Sequence, residues 1–170
     1  VYFLRDESIT INGVNFFGGT MWTNFKSGNL AAMRHAEAAL NDFSYIRSDT
    51  GIFTPEFSIG LHQQFIAALE RWFEKRCPGP NVVITHHAPV INPRSRYLLS
   101  PLEPAFVSYE MSHYIESYQP GLWIYGHTHE CDTQCLGETR IISNQLGYPD
   151  RSGGYESTGA FDNYGRLAEV

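Results

Sequence analysis

The sequence predicts an α/β fold, and two observations carry that prediction. Apolar runs of strand length, Val82–Thr85 and Leu122–Tyr125, alternate with longer segments in which apolar residues recur at helical spacing. The order strand, helix, strand between these runs is typical of a parallel crossover, because parallel strands need a long connection. The first run leads directly into His86, and the second is followed by Gly126 and then His127. In open α/β sheets, ligands collect at the carboxyl ends of the strands.

Length, charge and cysteine content exclude several classes of protein. The 170 residues fit one domain, which we take as residues 1–170. A net charge of −6 and a pI near 5.6 argue against a nucleic-acid-binding face. No apolar run approaches the roughly 18 residues of a membrane span. Three cysteines, an odd number, make no disulfide framework and predict a cytoplasmic location.

The chain opens with short β-rich runs, Val1–Leu4, Ile9–Ile11 and Val14–Phe17. Asn12-Gly13 separates the last two, and Asn-Gly between apolar runs predicts an antiparallel hairpin. We expect the following segment, Trp22–Gly28, to be a loop.

Two helices follow in the predicted order. Asn29 can cap the first, which runs to about Asn41. Its apolar residues recur at helical spacing and predict one buried stripe, namely Leu30, Met33, Ala36 and Leu40. The second begins more clearly, with Thr54 as the cap and Pro55 in the first helical position. It ends before Cys77-Pro78-Gly79-Pro80, which no helix can continue through.

The second half alternates strands and helices. After the strand Asn81–Thr85 comes a long irregular stretch, Pro89–Pro104, of the kind that is usually functional. A helix at about 106–118 then leads into the strand before Gly126. A hairpin is predicted from the two runs Cys131–Leu136 and Thr139–Ser143, then a surface loop and a closing strand, Arg166–Val170.

The histidines at the two strand ends predict a metal site. His127 and His129 form an H-x-H after one strand, and His86 follows the other. Neutral imidazole is the commonest metal ligand, and three from neighbouring strand ends can converge on one ion. The remaining helical histidines lack a partner at metal spacing, and we interpret them as surface or hydrogen-bonded residues: His35, His62 and His113.

One class of metalloenzyme is excluded by spacing. The metallo-β-lactamase type continues H-x-H with x-D-H. Here Glu130-Cys131-Asp132 follow His129, so the aspartate is one place late and no histidine comes after it.

The sequence resembles the calcineurin-like metallophosphoesterases. The later blocks of that family, T-H-H-x-P and G-H-x-H, stand here at 85–89 and 126–129. The likeness covers almost the whole chain. It includes Gly18–Phe25, similar to G-A-T-L-W-T-D-[FY] of one bacterial branch, and also Asn41-Asp42-Phe43, Thr54-Pro55-Glu56 with His62 in the following helix, and the stretches 139–144 and 147–149.

The resemblance implies a reaction and a cofactor. The reaction is phosphoester hydrolysis, by a phosphatase or phosphodiesterase in which two divalent ions hold a hydroxide that attacks phosphorus. Mn, Fe and Zn suit nitrogen and oxygen ligands. His86 and His127 would ligate one ion and His129 the other. His87 would support the ligands or contact the phosphate, and a structural role for it stays open.

The long stretch after His86 contains two arginines, Arg94 and Arg96. Guanidinium groups recognise phosphate by paired hydrogen bonds, so both are candidates for contacts with a phosphorylated substrate. Solvated surface arginines are the competing interpretation.

The same comparison exposes a departure from the family. Its first three blocks, D-x-H, G-D and G-N-H-[DE], are absent, and with them every carboxylate ligand. The chain begins at Val1 within a predicted strand. We therefore expect one incomplete domain, part of an αββα sandwich with mixed sheets whose N-terminal half is missing.

Two functional hypotheses follow. In the first, the chain belongs to a phosphoester hydrolase whose other ligands come from elsewhere. In the second, it is a non-catalytic, truncated homologue that binds metal weakly or serves as an interaction module. An exposed sheet edge, where missing strands would pair, would invite a homodimer or strand exchange.

Overall fold

The structure, a computed structural model, describes residues 1–48, 51–151, 153–156 and 161–162. The predicted closing strand Arg166–Val170 lies outside these residues. The strands, in chain order, are β1 Glu7–Ile11, β2 Val14–Gly19, β3 Arg47–Ser48, β4 Gly51–Ile52, β5 Asn81–Thr85, β6 Leu122–Ile124, β7 Asp132–Leu136 and β8 Thr139–Ser143.

Six of these strands form one mixed sheet in the described residues, and the α/β prediction is confirmed. The order is β1-β2-β5-β6-β8-β7, with the four central strands parallel. The two outer strands are antiparallel to their neighbours. The predicted hairpins at Asn12-Gly13 and Gly137-Glu138 join them to the sheet. β3 and β4 form a separate two-stranded ladder that the sequence pattern did not predict.

The helices are α1 Phe25–Gly28, α2 Leu30–Ala39, α3 Asp42–Tyr45, α4 Pro55–Glu74, α5 Glu103–Phe106 and α6 Met111–Tyr118. Both predicted caps are present. The Asn29 side chain accepts hydrogen bonds from the backbone N–H groups of Ala31 and Ala32, and the Thr54 hydroxyl accepts one from Phe57. Of the helices described, none has the length and apolar character needed to cross a membrane.

The main core lies between one face of the sheet and α4. Strand register places Phe17, Val83, Trp123 and Ile141 in one row on that face, and all four are buried. The Phe17 ring packs edge-on against a phenylalanine of α4 and stacks on a tryptophan of the same helix. A smaller apolar cluster occupies the opposite face. The core thus fixes the two central strands from which the histidines project.

Three expectations for the N-terminal part are wrong. Val1–Leu4 is not a strand, because Asp6 turns the chain at φ 58° and Leu4 lies over Gly18 instead of pairing. The segment Trp22–Gly28 is not all irregular loop, since it contains the short turn α1, whose residues Phe25–Gly28 have left-handed backbone angles. Leu30 is 66% exposed, because it opens α2 ahead of the turn that packs on the core.

Candidate metal centre

The ends of β5 and β6 bring the two histidine-bearing turns together. The strands are parallel neighbours, with Ile84 beside Ile124, so the residues after them emerge at the same edge. The backbone N–H of Gly126 donates to the carbonyl of His86 at 3.0 Å. A Cβ at Gly126 would lie 3.5 Å from Nδ1 of His86, which is ordinary van der Waals contact.

The imidazole rings lie side by side. Ring centroids are 4.7 Å apart for His86 and His127, 4.3 Å for His87 and His127, and 5.3 Å for His86 and His87. The backbone of His127 is left-handed at φ 69°, as is that of His129 at φ 53°. Non-glycine residues adopt this conformation infrequently, and strained backbone positions cluster at functional sites as well as in turns.

A cavity of about 240 Å³ lies at this edge of the sheet. His86, His127 and His129 all line it, so the structure brings the three predicted ligands to one cavity. Two carboxylates, Asp42 and Glu156, line it as well. The remaining walls include three aromatic side chains, namely Tyr97, Phe106 and Tyr148.

The surroundings favour uncharged imidazoles. Burial, reinforced by His86 and His129, lowers the pKa of His127 to about 3. Desolvation also lowers the pKa of His86, which stays open to solvent on one side, while Asp42 opposes that shift. Burial and the neighbouring imidazoles hold the pKa of His87 well below its ordinary value. Neutral imidazole is the form that binds metal.

One nitrogen in the cluster is unsatisfied. Nε2 of His127 is buried and has no hydrogen-bond partner among the residues described. Buried polar atoms are usually paired, and ion binding is one of the standard reasons for an exception. The described residues nevertheless contain no group of three or more His, Cys, Asp or Glu side chains arranged to hold a metal ion. Metal ligation by His86, His127 and His129 therefore stays a prediction.

His87 lies behind this cluster and is 2% exposed. Its Nδ1 is 3.1 Å from the carbonyl of Thr20, so Nδ1–H donates there, and its ring packs against Trp22 at 5.1 Å. His87 does not line the cavity. A role for His87 in supporting the predicted ligands stays a prediction.

His129 is held by three residues of the segment after β8. Its backbone N–H donates to Oε1 of Gln145 at 2.7 Å. Its Nδ1 lies 2.5 Å from Oε2 of Glu156. The ring of Tyr148 packs edge-on against it, with the centroids 4.5 Å apart.

The two predicted substrate arginines occupy different surroundings. Arg96 is half-exposed and does not line the cavity, but it lies next to the rim, where Nη2 donates to the carbonyl of Thr128 at 3.2 Å and lies 3.9 Å from Glu156. Its Nε lies 3.7 Å from Glu130. Arg94 is exposed and does not line the cavity. A role for either in phosphate binding stays a prediction.

The helical histidines lie elsewhere, as expected. His62 is buried, with Nδ1 2.9 Å from the carbonyl of Met21 and Nε2 2.6 Å from Glu110. These contacts tie α4 to Met21 after β2 and to Glu110 at the start of α6, which is a structural role. The corresponding prediction of a hydrogen-bonded helix residue is confirmed for His62.

Sequence reasoning missed the two acidic residues of the cavity. Asp42 belongs to the Asn-Asp-Phe triplet of the family resemblance, which assigns it no role. Glu156 lies in a stretch rich in Gly, Ser, Asn and Tyr that reads as surface loop. The few charged residues in this stretch are the only signal that could have drawn attention to Glu156. The sequence does not reveal which of these charged side chains contacts His129.

Comparison with known proteins places the fold but not the family. No family model matches the chain. An uncharacterised protein, L509, of Acanthamoeba polyphaga mimivirus is 25% identical over 157 residues, which is 87% of this chain and 55% of that protein.

Several solved structures are similar to this chain. The crystal structure of phosphopantetheinyl hydrolase from Mycobacterium tuberculosis aligns over 84% of this chain and 54% of its own, with a TM-score of 0.59 and 15% identity. The protein TT1561 of Thermus thermophilus aligns over 84% of this chain and 48% of its own, with a TM-score of 0.44 and 12% identity. The first likeness shows a mixed α/β fold of the metallophosphoesterase type. The chain spans about half the length of the proteins it matches.

Proposed function

We propose that this chain is part of a metal-dependent phosphoester hydrolase. The observation that carries the proposal is the convergence of His86, His127 and His129 on one cavity, where Nε2 of His127 is buried and lacks a partner among the described residues. The solved neighbour named a phosphopantetheinyl hydrolase supports a hydrolase and a phosphorylated substrate.

The donor set suits a first-row divalent cation. His86 and His127 would hold one ion and His129 a second, and imidazole with oxygen donors fits Mn, Fe or Zn. When bound, the ions would supply Lewis-acid stabilisation of the phosphoryl group and a nucleophile at neutral pH. The chain contributes neutral imidazoles, kept so by burial at His127 and by desolvation at His86.

Neighbouring side chains would keep the ligands in place and contact the substrate. His87 donates from Nδ1 to the carbonyl of Thr20 and packs against His127, which limits the rotation of both rings. Arg96 stands at the cavity rim, where a guanidinium could meet phosphate oxygens once it leaves Glu156. Arg94 is the second candidate, from the same stretch.

The remaining ligands would come from polypeptide outside this chain. Three imidazoles cannot offset the charge of two divalent ions, and the chain spans about half the length of the proteins it matches. A carboxylate that bridges two ions is what the proposal requires from the other half. That half could be joined covalently or could be a second chain docked on an open sheet edge, at β1 or β7.

Metal content per chain tests the proposal. Protein purified without chelator is analysed for metal by elemental mass spectrometry. Its hydrolysis of p-nitrophenyl phosphate, a monoester, and of bis(p-nitrophenyl) phosphate, a diester, is assayed in the presence of Mn²⁺. The variant is His127→Asn, and the matched control is His35→Asn, at an exposed helix position. We expect bound metal that is lost in His127→Asn and kept in His35→Asn. Equal metal content in both variants would exclude His127 as a ligand.

A second function is favoured by one observation. Since no ready-made group of three ligand side chains exists among the residues described, the chain alone could be a non-catalytic module that binds metal weakly. Metal content well below one ion per chain, with no hydrolysis of either ester, would support this alternative. About two ions per chain, with hydrolysis, would exclude it.

A further inference from the structure

The contact between Glu156 and His129 has a geometry that matters for metal binding. Oε2 of Glu156 is 2.5 Å from Nδ1 of His129, within hydrogen-bond distance. A carboxylate has no proton to donate, so Nδ1 of the imidazole carries the hydrogen in this contact. In the neutral ring, the lone pair is then on Nε2. One hydrogen bond thus selects one of two tautomers.

Metal-binding histidines commonly rely on such a partner. The nitrogen that does not bind the ion donates to a carboxylate or a carbonyl, which fixes both the tautomer and the orientation of the ring. His87 already shows the carbonyl form of this arrangement, with Nδ1–H directed at Thr20. At His129 the corresponding acceptor is a carboxylate, whose charge also makes the lone-pair nitrogen more basic.

Glu156 is itself held in place by its surroundings. Its carboxylate accepts a hydrogen bond from the backbone N–H of Tyr148 at 3.2 Å, and its own backbone N–H donates to the carbonyl of Tyr148 at 3.0 Å. Gly147, at φ 77°, lets the chain turn there. A side chain at that position would come within 2.9 Å of Glu156 and 3.3 Å of His129.

Other charges nearby do not replace this carboxylate. Arg96 approaches Glu156 at 3.9 Å and steadies it from the solvent side. Glu130, the other acid near the rim, is directed at Arg96, with Oε1 2.8 Å from its backbone nitrogen. Glu156 is thus the acid at the rim that reaches Nδ1 of His129.

We propose that Glu156 is a positioning residue that sets the tautomer of His129 and thereby makes Nε2 its metal-binding nitrogen. This inference rests on the proposed metal-dependent function, but it concerns a residue to which no role is otherwise assigned. It also gives a role to the contacts that Gln145, Tyr148 and Glu156 make with His129 after β8.

Nuclear magnetic resonance of the metal-free protein tests this directly. Long-range ¹H–¹⁵N correlation spectra identify the tautomer of each imidazole at a pH about 2 units above the ordinary imidazole pKa of ~6.5. We expect His129 to be the Nδ1–H form in the natural sequence. Glu156→Ala should shift it toward the Nε2–H form that free imidazole favours, and Glu156→Gln, which keeps an acceptor oxygen, should restore Nδ1–H. Glu138→Gln, at an exposed turn, is the control.

Titration with Zn²⁺ supplies the second readout. Glu156→Ala should weaken binding by about 10–100-fold, the usual effect of losing such a partner, with Glu138→Gln unchanged. Glu156 is exposed, so its variants should fold, which circular dichroism checks. If His129 keeps the same tautomer in Glu156→Ala, and this variant binds Zn²⁺ as tightly as the natural sequence does, the inference is overturned and the proposed function still stands. The expected tautomer change without Zn²⁺ binding by any variant would overturn the proposed function instead.

Discussion

Replacing Thr85 with valine should weaken both the fold and the turn that carries the histidines. The hydroxyl of this buried residue accepts a hydrogen bond from Nε1 of Trp123 at 2.9 Å and donates one to the carbonyl of His87 at 2.8 Å. Valine has nearly the same size, so little cavity forms. The change instead removes both bonds and leaves the fully buried indole N–H without an acceptor.

The magnitude follows from these two bonds. An unsatisfied buried donor costs about 1–3 kcal/mol, and a lost ordinary hydrogen bond about 0.5–1.5 kcal/mol. We therefore expect Thr85→Val to lower the free energy of unfolding by about 2–4 kcal/mol. For a chain of this length that corresponds to a decrease in Tm of roughly 5–15 °C.

The matched control is Thr139→Val, on β8 of the same sheet. Thr139 is also buried, but its hydroxyl has no hydrogen-bond partner in the part of the chain that the structure describes. There the substitution removes an unsatisfied polar group, and stability should be unchanged or rise by up to about 2 kcal/mol. Urea denaturation followed by tryptophan fluorescence measures both variants. If the two substitutions cost the same, the hydrogen bonds of Thr85 do not stabilise the fold as argued.

Three further predictions concern charge, backbone and a buried hydroxyl. The pKa of His127 is about 3 in the folded chain and ~6.5 in the unfolded chain, so between these pH values the unfolded state binds one more proton. The metal-free protein should therefore lose stability as the pH falls from about 6.5 toward 3. In chelator-treated samples, His127→Asn should make stability less dependent on pH over this range. Gly79→Ala should destabilise the fold by about 2 kcal/mol or more, since φ is 101° and the new Cβ would lie 2.2 Å from the carbonyl oxygen of Gly13. The control is Gly60→Ala, in the interior of α4 with open space around it, which should stabilise the fold by about 0.5–1 kcal/mol. Thermal unfolding measures both variants. Tyr125→Phe removes the hydroxyl that donates to Oδ2 of Asp132 at 2.8 Å inside the core and should cost about 1–3 kcal/mol. The same Oδ2 also accepts a hydrogen bond from Nε2 of Gln134 at 2.6 Å, so a loss below about 0.5 kcal/mol in urea would show that the other partners of Asp132 satisfy the carboxylate.

The central part of the fold could be predicted from the sequence because its signals are local. Asn12-Gly13 dictates a hairpin through the backbone conformations that these residues allow, and Thr54-Pro55 marks a helix start by capping chemistry. The strands ending at His86 and His127 are short, apolar and separated by a helix, which leaves few topologies other than a parallel crossover.

The predictions that failed concern features that depend on contacts between residues far apart in the sequence. Val1–Leu4 has the composition of a strand, yet Leu4 instead lies over Gly18, and composition does not reveal that choice. Glu156 reaches His129 across 27 residues of sequence, through a turn whose geometry depends on Gly147. No periodic pattern connects such residues, so the acidic side of the cavity became visible only in three dimensions.

The strand order also determines when the cavity can form during folding. The outer hairpins are local, but β2 meets β5 across 66 residues of sequence, as between Asn15 and Asn81. Thr85 and Trp123, which join β5 to β6, are 38 residues apart. Because closing long loops is slow, these central pairings should follow the hairpins. A nascent or partly unfolded chain would therefore carry His86 on a different segment from His127 and His129, and the cavity that all three line would form only when the middle of the sheet has closed.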